Sequence, residues 1–251
     1  MKEILALCYH AVSPTWPAGT TVRPEDFERQ LEDLVGRGYR GATFAQALTA
    51  PAGERVVAVT FDDAHRSVLE LAAPPMARLG VPGTVFVPTE YASSGRPMTW
   101  EGYDIWQGTE HERELRCMSW EELAGLVAQG WEVGSHTRTH PRLPELGEAE
   151  IAAELTGSRR ECEERLGVPC RSVAYPYGDY DDRVLRLALE AGYSFGAAVP
   201  RHAAAALPLA WPRVGVYHGE GPRRLRLRAR SRRLAPPAAL RAALRLRRLA
   251  R

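Results

Sequence analysis

The sequence predicts an α/β fold in which a parallel sheet closes, or nearly closes, into a barrel. Three observations predict it. Short apolar or β-branched runs alternate with helix-periodic segments, and repeated βα units of this kind build parallel sheets. There are about seven such units, a number that suits a barrel better than an open doubly wound sheet. The polar residues that ask for a chemical explanation stand where strands end, which in such barrels is the face of the active site.

Taken in order, Ile4–Tyr9 is a short apolar strand. Pro24–Val35 reads as a helix, with Pro in its first turn, acids early and Phe27, Leu31, Leu34 and Val35 at helical spacing. Val56–Phe61 is a β-branched strand. A helix through Val68, Leu69 and Leu71 is expected to break at Pro74-Pro75. Thr84–Val87 is the next strand, and Ser119 with Glu122 forms a capping box for a helix ending near Gly130. Trp131–Gly134 is a strand, Glu148–Leu166 a long helix stopped by Gly167, and Ser172–Tyr175 a strand. Asp181–Ala191 is a helix, Ser194–Ala198 a strand, and Trp211–Tyr217 the last strand.

The 251 residues, 45% of them apolar, suffice for one well-buried core. Cys8, Cys117, Cys162 and Cys170 form no Cys-x-x-Cys pair and read as reduced structural thiols. The first apolar run is too short for a signal segment and no stretch spans a membrane, so the expected location is cytoplasmic. No glycine-rich phosphate loop follows a strand, which argues against a nucleotide site. Charge is unevenly placed. Residues 222–251 hold 12 of the 33 basic residues and no acidic one, so residues 1–221 carry 21 basic against 31 acidic residues, a net of −10. The chain therefore divides into a body, 1–221, and an Arg-rich segment, 222–251. Leu240 and Leu244, with Arg241, Arg245 and Arg248, give that segment a basic amphipathic character suited to the anionic inner face of a membrane. A solvated terminal helix is the plainer reading. No nucleic-acid module accompanies the charge.

The chemistry centres on two pairs. Asp62 and Asp63 end the Val56–Phe61 strand. Adjacent side chains diverge, so one carboxylate can bind a metal while the other faces a substrate or water. His136 and His140, four apart after the Trp131–Gly134 strand, can turn both rings to one side. Alone, an Asp after a strand can simply cap a helix, and two such His can be exposed loop residues. Together, two His and one Asp make three ligands that leave a position open for water, the arrangement of catalytic zinc sites.

Thr60-Phe61-Asp62-Asp63, His136-Thr137-x-x-His140 and Ala174-Tyr175-Pro176-Tyr177-Gly178, in that order, resemble the motifs of the polysaccharide deacetylase family (the NodB homology domain, carbohydrate esterase family 4). The resemblance covers roughly residues 1–217. It implies a distorted (β/α)7-type, TIM-like barrel and a hydrolase that removes acyl groups from N-acylated sugars with a divalent metal, most often Zn²⁺. It assigns Asp62 as general base, Asp63, His136 and His140 as metal ligands, and Pro176, Tyr177 and Gly178 to the substrate groove, with the Tyr177 N–H on the developing oxyanion.

Three departures stand out. Ala64-His65 replaces the usual Gly of the first motif, and His65, at a helix start, is expected at the periphery. The Arg that commonly orients the base is Ala174 here; Arg213 is the candidate to replace it from another strand, or else makes an ordinary barrel-end ion pair. The C-terminal motif carrying the general-acid His is absent, with His202 and His218 poorly placed, whereas Cys8-Tyr9-His10 resembles the Tyr-His of the poly-N-acetylglucosamine deacetylase subgroup and makes His10 the acid. The long 88–120 insertion carries Trp100, Tyr103, Trp106 and Trp120, which suit either sugar stacking or core packing. The expected substrate is an N-acylated glycan or amino-sugar precursor. A deformylase or other amidase, and a catalytically weak glycan- or membrane-binding module, are the alternatives.

Overall fold

The computed structural model describes residues 3–200 and 206–231. His202, and the part of the basic segment with Leu240, Arg241, Leu244, Arg245 and Arg248, lie outside the described residues. The strands are β1 (Glu3–Tyr9), β2 (Arg40–Gly41), β3 (Arg55–Phe61), β4 (Gly83–Val87), β5 (Glu132–Ser135), β6 (Ser172–Ala174), β7 (Phe195–Ala198), β8 (Trp211–Pro212) and β9 (Val214–Gly215). Neighbours run in the order β8-β7-β6-β5-β4-β3-β1-β9, with β2 added beside β3, and the pairings between these strands are parallel.

The barrel closes in an unexpected way. The segment read as one last strand is two, split at Arg213. Before it, β8 pairs with β7 (Ala198↔Pro212); after it, β9 pairs with β1 (Leu7↔Val214). One short stretch thus joins both ends of the sheet, and Arg213 sits at the seam.

Side-chain alternation explains the narrow interior. Along β1 and β3, Leu5, Leu7, Tyr9, Val57, Val59 and Phe61 face the helices, where Phe27 and Leu31 of α1 (Pro24–Gly36) cover them. The alternate residues Ala6, Val56 and Ala58 face inward with Ala174, Ala197 and Phe86. Small residues from facing strands let the barrel close. In the same inward register, Thr60 and then Asp62 follow Ala58 upward, so strand periodicity alone delivers the carboxylate to the barrel mouth.

The remaining helices are α2 (Phe44–Thr49), α3 (Ala73–Arg78), α4 (Thr89–Ser94), α5 (Trp120–Ala128), α6 (Glu148–Leu166), α7 (Asp182–Glu190) and α8 (Pro222–Ser231). The Ser119–Glu122 capping box is present, and Gly167 ends α6 in the left-handed conformation that glycine adopts without Cβ strain (φ +67°). Pro74-Pro75 do not break the helix after Asp63. A π-helical turn, Val68–Ala72, leads directly into α3, and both prolines lie in its first turn, where their missing N–H groups are no loss. The four cysteines are free.

Candidate metal centre and active-site cleft

The loops after β1, β3, β5 and β6 meet at one end of the barrel. They line a cleft of about 450 Å³ together with part of the 95–118 segment. His10 follows β1, Asp62 and Asp63 follow β3, His136 follows β5, and Tyr177 follows β6. All these side chains line the cleft, as does Gly178.

The loops are held in costly backbone conformations. Among the described residues, the non-glycine residues with left-handed backbone are Asp63 (φ 67°), Ala64 (52°), Thr137 (65°), His140 (63°) and Tyr177 (60°). All belong to the site motifs or stand inside them. Each costs on the order of 1–3 kcal/mol, and such strain persists only where the surroundings over-determine it. Ser135 and Thr137 help here: Ser135 Oγ accepts the Thr137 amide (3.0 Å) and Thr137 Oγ1 the His140 amide (3.1 Å). The two histidines are therefore buried and fixed rather than exposed in a loose loop.

Asp63, His136 and His140 bring one donor atom each to within 4.8 Å of one another. Asp63 Oδ1 lies 3.3 Å from His136 Nε2 and 3.5 Å from His140 Nε2. His136 Nδ1 donates to the Ala174 carbonyl (2.9 Å), which turns the Nε2 lone pair toward Asp63. Asp63 Oδ1 is buried and has no hydrogen-bond partner. An acceptor oxygen without a donor, facing ring nitrogens just beyond good hydrogen-bond length, is a donor set that fits a small cation. Burial brings the His140 pKa down to about 3, so this ring stays neutral and able to ligate. Burial also opposes ionisation of Asp63, yet the attraction of the imidazoles around it, His136 and His65 first and then His140, holds its pKa well below the usual range.

Asp62 belongs to a different network. Arg213, fully buried, grips it with two parallel bonds: Nη1 to Oδ1 (2.6 Å) and Nη2 to Oδ2 (2.7 Å). Arg213 Nη1 also donates to Thr60 Oγ1 (2.9 Å), which itself donates to the Leu7 carbonyl (2.6 Å). Of the two readings of Arg213, the ion pair is thus with Asp62 itself. Burial again opposes ionisation, but Arg213 overcomes it and lowers the Asp62 pKa to about 2. Cys8 Sγ adds a weak bond to Oδ2 (3.3 Å). His10 is within 4.8 Å of an Asp62 oxygen, atom to atom, and its Nδ1 has no protein partner. Burial lowers its pKa although Asp63 and Asp62 pull the other way. His218 is exposed and does not line the cleft.

The Pro176-Tyr177-Gly178 turn packs over His140, with the Tyr177 and His140 rings 4.8 Å apart. Arg142 stacks over the Tyr177 ring (3.9 Å) and pairs with Asp179 (2.8 Å) and Glu101 (2.9 Å). Two contributions were not legible in the sequence. His65 is not peripheral: it is fully buried, with Nε2 3.7 Å from Asp63 Oδ2. Tyr103 donates to that same oxygen (2.8 Å). The aromatic content of the insertion suited sugar stacking or core packing alike, and nothing in its spacing tells Tyr103 from its neighbours. Trp100, Tyr103 and Trp106 pack in one aromatic cluster, while Trp120 lies apart, its Nε1 on Ser93 Oγ (2.8 Å).

A sequence model of the family described as polysaccharide deacetylase matches residues 49–196, more than half of the chain. The chain is 24% identical over 205 residues to YxkH of Bacillus subtilis, covering 79% of this chain and 65% of that protein. It is 24% identical over 196 residues to poly-beta-1,6-N-acetyl-D-glucosamine N-deacetylase of Staphylococcus aureus, covering 73% of this chain and 62% of that one. The chain thus spans a little under two thirds of the length of these relatives. Among solved structures, the deacetylase PplD of Streptococcus pyogenes superposes with a TM-score of 0.75 at 22% identity, over 90% of this chain and 98% of that one. IcaB of Ammonifex degensii superposes with a TM-score of 0.71 at 25% identity, over 92% and 98%. The fold is therefore that of these deacetylases, and the superpositions cover a larger share of the chain than the family match does. Motif order, barrel and family match agree: the chain belongs to the polysaccharide deacetylase family.

Proposed function

We propose that this chain is a metal-dependent amide hydrolase that removes an N-acyl group, chiefly N-acetyl, from an amino sugar in a glycan or glycan precursor. One observation carries the reading. The converging donors of Asp63, His136 and His140 lie next to a separate carboxylate, Asp62, that Arg213 keeps ionised, and both groups line one cleft. The S. aureus relative, named for removing acetyl groups from an N-acetylglucosamine polymer, supports the substrate class.

A bound divalent cation supplies Lewis acidity to the amide carbonyl and acidifies water at neutral pH. Zn²⁺ is our choice: two imidazoles and one carboxylate would hold it, a donor set that suits zinc, with Asp63 Oδ1 3.3 and 3.5 Å from the two ring nitrogens. Asp62 takes the proton of the attacking water. Arg213 occupies one lone pair on each of its oxygens and Cys8 a second one on Oδ2, so Oδ1 is the free acceptor. A carboxylate with a pKa near 2 is ionised throughout the working range, and its task is to orient the water and hold the proton briefly. His10 gives a proton to the departing nitrogen, and a single water can bridge its short gap to Asp62 to restore it. The Tyr177 amide donates to the carbonyl oxygen as charge gathers there.

Acetate release from N-acetylated glucosamine oligomers tests this. Asp62→Asn is expected to lower the rate about 10²–10⁴-fold, the usual worth of a positioned proton-transfer group. An undiminished rate in Asp62→Asn removes Asp62 as the base. Formate release from N-formyl substrates without acetate release reassigns the enzyme as a deformylase. No hydrolysis, with less than one equivalent of tightly held metal and no loss on Asp63→Ala, leaves a glycan-binding module.

A further inference from the structure

The two oxygens of Asp63 have different environments. Oδ1 faces His136 and His140 and has no hydrogen-bond partner. Oδ2 accepts the Tyr103 hydroxyl at 2.8 Å. Tyr103 Oη is in turn 2.8 Å from His65 Nε2, and His65 Nδ1 is 2.8 Å from the Glu114 carbonyl. A carbonyl can only accept, so Nδ1 donates to it and the ring plane is set; the single Tyr103 hydroxyl proton goes to Oδ2, so Oη is left to accept on its Nε2 side. Tyr103 is as firmly placed. Its buried ring stacks on Trp100 (5.1 Å) and leans on Trp16 (5.7 Å) and His65 (5.4 Å).

The segment that supplies Tyr103 and Glu114 also grips the strained turn that carries Asp63. The Met118 amide donates to the Ala64 carbonyl (2.8 Å) and the Arg66 amide to the Arg116 carbonyl (3.0 Å). Trp100 lies face to face on the His140 ring at 3.9 Å. The 95–118 segment therefore touches two of the three candidate ligands, and neither contact uses the atom that would bind the cation.

We propose that Tyr103, braced by His65, is a positioning residue that makes Asp63 a one-oxygen ligand. Holding Oδ2 away from the cation presents Oδ1 alone and keeps coordination positions open for water and the substrate carbonyl. Freed of Tyr103, the carboxylate can rotate and chelate through both oxygens, closing one of those positions. The proposal rests on the metal reading of the site but not on the identity of the substrate.

The experiment compares the full chain with Tyr103→Phe, which removes one oxygen and keeps the ring. Zn²⁺ affinity is measured by competition with a chromophoric chelator, and the visible absorption of the Co²⁺-substituted protein reports coordination number. Removing outer partners of this kind changes metal affinity about 10–100-fold. We expect a Zn²⁺ affinity changed by that order and a weaker, shifted Co²⁺ band in Tyr103→Phe. We also expect kcat to fall with KM little changed, since substrate contacts are intact. His65→Leu should move the same readouts in the same direction, and His65→Gln, which keeps an amide near Tyr103 Oη, should recover part of the effect. The His65 pair carries the test if Tyr103→Phe unfolds at a lower temperature than wild type without metal. Wild-type Zn²⁺ affinity and an unchanged Co²⁺ spectrum in folded Tyr103→Phe overturn the proposal. Failure of Asp63→Ala to weaken Zn²⁺ binding overturns the metal reading itself, a separate result.

Discussion

Arg213 shows how a residue's role can follow from where its strand arrives. Its side chain has no exposure to solvent, and it balances Asp62 while also bonding Thr60 and lying against the Phe86 ring. Removing one member of a buried pair leaves the other charge stranded, at a cost of about 3–5 kcal/mol. Arg213→Met should therefore lower the unfolding free energy, measured by denaturant titration, by that order and abolish hydrolysis. Arg213→Lys should keep much of the stability but not the rate, because an ammonium cannot make the two parallel bonds. Equal rates for wild type and Arg213→Lys would mean that charge alone suffices. At this scale the sequence was informative where chemistry sits directly after a strand: strand ends placed Asp62, Asp63, His136 and His140 together, and motif resemblance supplied their roles. His65 and Tyr103 were opaque. Their partnership spans 38 positions and depends on how an irregular segment folds back, which no periodicity encodes.

Among the elements, regular periodicity was legible and junctions were not. The bounds of α6 were readable to the residue, because Gly147 and Gly167 frame a 19-residue helix. The Thr43–Gln46 capping box that starts α2 was a readable signal that passed unread. The junction at residue 222 is subtler. The Arg-rich segment begins not as a free tail but as α8, whose Leu225 is buried and whose Arg226 pairs with Asp33 of α1 at 2.7 Å. Arg228 pairs with buried Glu220 at 2.9 Å and donates to the Gly215 carbonyl at 3.0 Å. Burial raises the Asp33 pKa, but hydrogen bonds from Arg37 and Arg226 together outweigh it, so the net shift is downward. The sign follows: this contact stabilises α8 above the ordinary carboxylate pKa and fades as pH falls through the lowered value. Being partly exposed, it is worth about 0.5–1 kcal/mol. Hydrogen exchange should show α8 amides about two- to fivefold less protected in Asp33→Asn at neutral pH, with the difference from wild type vanishing in acid. Identical protection at neutral pH would show that Leu225 alone docks the helix.

For the whole molecule, the uneven charge matters most. The body is acidic, and α8 leaves from the rim of the cleft: Tyr217, which lines it, lies under Arg228 at 4.7 Å. Leu227 is 71% exposed, with Arg223 and Arg224 also exposed nearby. Among the described residues no helix is long and apolar enough to cross a membrane. We propose that the basic segment rests on an anionic membrane surface at the cytoplasmic side and turns the cleft toward lipid-linked amino sugars. Co-sedimentation with vesicles checks this. The full chain should bind anionic vesicles and release in high salt, while a chain lacking 232–251 should bind more weakly. Equal binding by both would sink the idea. The barrel itself was foreseeable from the alternation of strands and helices; its closure was not, because Trp211–Tyr217 reads as one strand until its two halves are seen on different neighbours.

That closure also sets an order of assembly. Asp63 and His140 are 77 positions apart in the chain, whereas Arg213 stands 151 positions beyond Asp62, and β9 meets β1 across 207 positions. Chains fold from the N-terminus as they are made, and distant pairings form last. A chain still on the ribosome can therefore gather its cation ligands while its base has no guanidinium to steady it. In the proposed mechanism the base is steadied only when the final seam forms, so a chain truncated before Arg213 is expected to lack hydrolysis even where its cation ligands are gathered.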